Sequence, residues 1–268
     1  MTGLYTGQAI GGFGATVAAV WSWHTAFHWF GIIGICYSLI LMLLLHDKKT
    51  EYKEEKVTAQ TEKEPVLVSL KALMSNVAFW VILLYFAAPS LPGWATKNWL
   101  PTLFAENLQL PMEEAGPIST ITIAVSSFIG VILGGLLSDK WVQKNLRGRV
   151  YMGAIGLGMT IPSLLLLGYG HSILAVVGAG LLFGIGYGIF DTNNMPILCQ
   201  FVPARQRATA YGFMNMVGVF AGAFVTSLLG KWADNGDLGF GFAMLAGVVA
   251  VALIVQLYFL RPKTDNME

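Results

Sequence analysis

The chain has 268 residues, of which 55% are hydrophobic and only 12% charged, with a formal net charge of +1 and a mean hydropathy of +0.64. Such a composition excludes an ordinary soluble domain, and the near-neutral balance gives no basic surface for nucleic acid. Two cysteines, Cys36 and Cys199, both within apolar runs, exclude a disulfide framework and a C-x-x-C metal site, leaving buried thiols as the plain reading.

A helix crossing a bilayer needs about 20 mostly apolar residues. Runs of that kind stand near residues 2–20 and 26–46. The segment from Asp47 to Lys71 then carries six lysines and six acidic residues, a balanced polar run that reads as a solvated tether. Six more apolar runs follow near 76–101, 115–138, 150–170, 172–200, 205–231 and 238–260. The expectation is an all-α membrane protein with about eight transmembrane helices. It divides into a helix pair at 1–46, a charged linker at 47–75, a six-helix bundle at 76–260 and a tail at 261–268. The 31 glycines and 10 prolines fit helices in lipid, where small residues allow close approach and freed backbone groups find other partners. A transmembrane β-barrel is excluded, because the runs are about twice the strand length it needs and do not alternate. The first run lacks a basic region and a small-residue cleavage site, so it is expected to act as the targeting element itself.

Cytoplasmic loops retain positive charge, and the basic residues divide sharply. Lys48, Lys49, Lys53, Lys56, Lys63, Lys71, Lys140, Lys144, Arg147, Arg149, Arg205, Arg207, Arg261 and Lys263 fall on one side; only Lys97 and Lys231 fall on the other. Linker and both termini are therefore expected in the cytoplasm, with the chain integral to a bacterial inner membrane.

At the end of the fourth run stands Gly135-Leu136-Leu137-Ser138-Asp139-Lys140, with Lys144, Arg147, Gly148 and Arg149 behind it. This resembles the loop signature of the major facilitator superfamily, G-x-L-[A/S]-D-[R/K] and a basic cluster, although the basic residues come later here than in the pattern. The resemblance implies a conformational latch of Gly135, Asp139, Lys140, Arg147, Arg149 and Arg205. In it, Asp139 meets the start of the seventh helix and pairs with Arg205 or Arg207. The plain alternative is an interfacial Asp that caps a loop. The resemblance also implies a twelve-helix family, so the chain reads as the last two helices of an amino-terminal bundle, the linker and a complete carboxyl-terminal bundle, four helices being absent. Gly7-Gln8-Ala9-Ile10-Gly11-Gly12, Asn98-Trp99-Leu100-Pro101 and Tyr211-Gly212-Phe213-Met214-Asn215 resemble the anion:cation symporter branch, which handles sugar acids and other organic anions.

A polar side chain near the bilayer midplane on an otherwise apolar helix marks a pathway. Asp191 is the foremost candidate: it follows the glycine-rich Gly184–Phe190 and precedes Thr192, Asn193, Asn194 and Pro196. With a helix running to about Gln200 it lies about 13 Å inside and serves to couple a proton or sodium ion. If the helix stops at Asn194, it faces water at the helix end. Gln8 and Asn215 lie at similar depth and suit a carboxylate or hydroxyl ligand, with helix-to-helix hydrogen bonding as the alternative. Asn98, Ser126, Tyr187 and Asn194 complete the expected substrate set, with Ser127 beside Ser126 as a weaker candidate. The third run carries Pro89, Pro92 and Gly93 as a hinge, with Lys97 expected at the outer mouth to attract an anion. Trp21, Trp23 and Trp29 around His24 and His28 read as interface anchors.

Together these readings predict an ion-coupled symporter of a small organic anion working by alternating access, with the bilayer as its surroundings and no cofactor or metal. The rival is a truncated, transport-inactive fragment, or half of a two-chain transporter completed by amino-terminal helices in trans. An enzyme is not expected: H-E-x-x-H, G-x-S-x-G and paired intramembrane carboxylates are all lacking.

Overall fold

The structure, a computed structural model, describes residues 2–44 and 73–260. The expected tether and tail lie almost wholly outside the described residues. Among the described residues nine α-helices run in order: α1 Thr2–Gly11, α2 Gly14–Val20, α3 Trp23–Leu44, α4 Val77–Leu108, α5 Met112–Val142, α6 Gly148–Tyr169, α7 Ile173–Phe201, α8 Arg207–Asp234 and α9 Leu238–Phe259. A 3-10 turn at Ala204–Gln206 leads into α8. Among the described residues, seven helices, α3 to α9, are long and apolar enough to cross a membrane. The chain is an integral membrane protein.

The first expected span is corrected. Residues 2–20 form two short helices with a break at Gly12 and Phe13. The Gly11-Gly12 pair gives weak helical support, and the side chain of Thr120 on α5 fills the space where a Cβ on Gly12 would stand. The third span outruns its prediction: α4 carries Pro89, Pro92 and Pro101 within 32 residues and continues to Leu108. Prolines are tolerated there because neighbouring helices and hydroxyl side chains re-satisfy the backbone. Hydroxyls of α4 also bond back to their own helix, Ser90 Oγ donating to the carbonyl of Phe86 at 2.7 Å and Thr96 Oγ1 to that of Gly93 at 3.0 Å. Asn76 caps the start of α4, accepting from the Ala78 amide, and Gln109 ends it at a φ of 54°.

Packing centres on α7, which lies against α5 and α6, while α9 covers α6 and α4, and α8 covers α4. Small residues bring these backbones together. A Cβ on Gly156 would stand 2.5 Å from the carbonyl oxygen of Gly186, and one on Gly186 2.6 Å from that of Gly156. Gly130 abuts the Ile185 carbonyl and Gly188 that of Ser127 in the same way. Phe79, Phe104, Leu157, Leu164, Phe183, Phe190 and Phe242 fill the core between the helices. By contrast α3 buries only Ala26.

Candidate functional site

Five helices converge on one cavity of about 220 Å³, and helical spacing explains which side chains reach it. On α4, Ser90, Gly93, Trp94 and Lys97 share a face at i, i+3, i+4 and i+7. On α7, Phe183, Tyr187 and Asp191 follow one another at intervals of four. On α8, Tyr211, Asn215, Gly218 and Val219 share a face at i, i+4, i+7 and i+8. α5 gives Ile123 and Ser127, and α1 gives Gln8.

The hinge residues of α4 shape the space. Gly93 makes room for Tyr187, whose ring carbon Cζ would stand 2.7 Å from a Cβ there. Gly218 and Gly222 of α8 likewise receive Phe86 and Trp94 of α4. Tyr187 lies flat on Phe183, centroids 5.6 Å apart and 12° between planes, and leans on Phe190, which meets Tyr85 edge-on at 5.1 Å. An aromatic stack thus forms one wall, and the polar groups stand on the others.

Asp191 lies within a continuous helix that runs to Phe201 through Pro196. The alternative of a helix end at Asn194 is overturned; the carboxylate sits ten residues, about 15 Å, from the end of α7. Asn194 is buried and donates from Nδ2 to Asp191 Oδ1 at 3.3 Å, so it positions the carboxylate rather than lining the cavity. The nearby Asn193 is turned away to the carbonyl of Ile189.

Lys97 faces the same cavity, with its Nζ 5.0 Å from the centroid of the Trp94 ring. It lies beyond the middle of α4, Asp191 beyond the middle of α7, and three turns separate these helices, so they run antiparallel. The two side chains therefore lie toward opposite ends of the cavity-lining helices. The sequence analysis expects Lys97 at the outer mouth, attracting an anion; the structure sets it on the wall of the cavity that Asp191 also lines. Its i+4 and i+3 relation to Gly93 and Trp94 was the signal that places it on the cavity face.

Of the other expected residues, Gln8, Tyr187 and Asn215 line the cavity, although the Asn215 amide nitrogen donates to the carbonyl of Tyr211 on its own helix. Two do not reach it. Asn98 is exposed and donates to Thr226 Oγ1 at 2.8 Å, in a separate groove between α4 and α8. Ser126 is buried against Gly184 and donates to the carbonyl of Thr122 at 2.6 Å. Ser127, one residue further around α5, takes the cavity position. Ser90, Thr96 and Tyr211 line the cavity without having been singled out.

The expected latch pairing is also corrected. Asp139 accepts from Arg149 Nη2 at 2.6 Å; Arg149 opens α6, so the pair closes the α5–α6 turn. Arg205 is exposed in the 3-10 turn, and Arg207 donates to the carbonyls of Cys199 and Val202 at the end of α7. Both arginines belong to the neighbouring α7–α8 connection, where free carbonyls at a helix end attract a guanidinium. Arg147 does the same for α9, donating to Leu257 and Leu260. Gly135 packs lightly beside Thr192, and Lys140 is exposed.

These features define a helical membrane protein with a polar, doubly charged cavity between its spans. The chain belongs to the Major Facilitator Superfamily, whose family model matches residues 1–226 and again 146–268. It is 25% identical over 263 residues to a hexuronate transporter of Bacillus subtilis, covering 92% of this chain and 60% of the relative. It is 22% identical to a citrate-proton symporter of Klebsiella pneumoniae, over 88% of this chain and 53% of the relative. The chain thus spans little more than half the length of these relatives. In fold it matches the crystal structure of a bacterial homologue of the human lysosomal transporter Spinster, inward-facing and unoccupied, with a TM-score of 0.64 and 16% identity. That match covers 94% of this chain and 65% of the other.

Proposed function

We propose that the chain is the carboxyl-terminal part, preceded by the helices of residues 2–44, of a secondary carrier that moves a small organic anion together with a proton or sodium ion by alternating access. The observation that carries this reading is the single cavity in which Asp191 and Lys97 stand together with Gln8, Tyr187 and Asn215. Ionisable groups within spans are expensive in lipid and are retained for work on a ligand or ion. Lys97 attracts the anion, Gln8 and Asn215 hydrogen-bond it, and Asp191 takes the coupling cation, held in place by Asn194. Asp139 and Arg149 act as the latch at the linker side. The names of the relatives, a hexuronate transporter and a citrate-proton symporter, support a carboxylated substrate and coupling to protons. The same reading places the linker, the termini and this latch in the cytoplasm.

The test is uptake of labelled sugar acids and other small organic anions by proteoliposomes under an imposed proton gradient. Gradient-driven uptake that falls at least tenfold in Asp191→Asn and in Lys97→Gln supports the reading; uptake indifferent to both substitutions overturns these roles. A second reading, that the chain moves nothing alone, is favoured by the outward-turned α3, with Ala26 as its buried residue. Under it, uptake is restored only when the four helices of a full-length relative are supplied as a second chain.

A further inference from the structure

A second cleft, of about 630 Å³, opens where α5 runs out into its turn toward α6, lined by Leu137, Lys140, Trp141, Gln143, Lys144 and Met152. Its rim is cationic and its floor apolar. Helical spacing ties it to the membrane surface. The exposed large side chains of α5, Val125, Phe128, Ile129, Ile132, Leu133, Leu136 and Leu137, recur at intervals of three and four, forming one outward stripe. Continuing that spacing reaches Lys140 and Trp141 next, then Lys144. An apolar track of thirteen residues, about 18 Å end to end, therefore ends in two ammonium groups and an indole. One leaflet of hydrocarbon is about 15 Å deep, so track and rim match an acyl chain and its headgroup.

The local charge balance agrees. Between Gly134 and Met152 the one carboxylate is Asp139, and it is engaged by Arg149. Arg147 is occupied on the carbonyls of α9. Lys140 and Lys144 are exposed, with no ion pair to a carboxylate among the described residues. The indole of Trp141, set 5.7 Å from the ring of Tyr151, suits the interface between headgroups and chains.

We propose that this cleft binds an anionic phospholipid of the leaflet on the linker side. Lys140 and Lys144 hold its phosphate, Gln143 donates a hydrogen bond to the headgroup, and the Leu137–Val125 track takes an acyl chain. This site is separate from the cavity at Asp191 and rests only on the membrane placement of α5.

The test is quenching of tryptophan fluorescence in vesicles made with brominated phosphatidylglycerol or brominated phosphatidylcholine. The signal of Trp141 is obtained by subtracting that of Trp141→Phe. The expected result is quenching at least twofold stronger with the phosphatidylglycerol. The preference vanishes in the Lys140→Gln/Lys144→Gln double variant and in about 1 M salt, where screening shrinks to about 3 Å. Equal quenching by both lipids, or a preference that survives both the substitutions and the salt, overturns the proposal. So does loss of the preference in millimolar inorganic phosphate at constant ionic strength, since a free anion would then be the occupant. Should the double variant misfold, the salt series on the unaltered chain decides alone.

Discussion

The guanidinium of Arg149 lies 2.6 Å from the carboxylate of Asp139, and the two partners differ widely in exposure, at 21% and 62% of their side chains. The pair joins the end of α5 to the start of α6, ten residues apart in sequence. A wet pair of this kind contributes only about 0–1 kcal/mol. Asp139→Asn is therefore expected to shift the thermal midpoint in detergent by no more than about 4 °C, while changing the rate of uptake several-fold. A large loss of stability with unchanged uptake would make the pair structural and remove it from the latch.

Arg147 and Arg207 hold helix ends rather than partners of opposite charge. Arg147 reaches both of its carbonyls from Nη2 alone, whereas Arg207 forks across two carbonyls with Nε and Nη2, a geometry that lysine does not reproduce. Arg207→Lys should destabilise by about 1–2 kcal/mol, nearly as much as Arg207→Ala, because the lost contacts are charge-assisted hydrogen bonds to the end of α7. Thermal unfolding of the two variants side by side checks this. Full recovery by lysine would show that charge alone matters.

Tyr85 is 2% exposed, and its hydroxyl has no hydrogen-bond partner among the described residues. Removing an unpaired buried hydroxyl relieves a desolvation penalty, so Tyr85→Phe should leave stability unchanged or raise it by about 1 kcal/mol. Gln256→Leu should act in the opposite sense, since the Gln256 amide donates to the carbonyl of Val150 at 2.8 Å and the substitution removes that buried hydrogen bond between α9 and α6. Midpoints that move in the same direction would refute the distinction.

Gly156 and Gly186 face one another across α6 and α7. Valine at either position forces the helices apart, and overpacking of this kind costs about 1–3 kcal/mol. Gly212, with open space where its Cβ would point, is the control: Gly212→Ala should be neutral or slightly stabilising. Thermal midpoints of the three variants test the contrast.

Most spans were readable in the sequence because bilayer thickness sets a length that apolar runs either meet or miss. The places where the reading slipped share a cause, namely contacts between segments distant in the chain. Nothing within 2–20 announces that Thr120 of α5 presses on Gly12. Ser126 and Ser127 are chemically identical neighbours, and only the rotation of α5 against Gly184 decides which one reaches the cavity. Arg205 and Arg149 are equally basic, but the tight turn between α5 and α6 delivers one to Asp139 and leaves the other on the next connection. Asp191 was legible on its own terms, as a carboxylate in an apolar helix. Lys97 was legible only once α4 was recognised as continuous through its prolines, which puts Ser90, Gly93, Trp94 and Lys97 on one face.

The close approaches of the bundle fall into two kinds with different evolutionary freedom. Gly93 and Gly222 lie against the side chains of Tyr187 and Trp94, so a larger residue at either can be accommodated by trimming the aromatic opposite. Gly130, Gly156, Gly186 and Gly188 lie against main-chain oxygens, and no mutation shortens a carbonyl. Drift at the first kind can proceed in compensated pairs, whereas the second admits no second-site suppressor. Suppressor screens starting from Gly93→Ala should therefore return changes at Tyr187, and screens starting from Gly130→Ala should return only revertants.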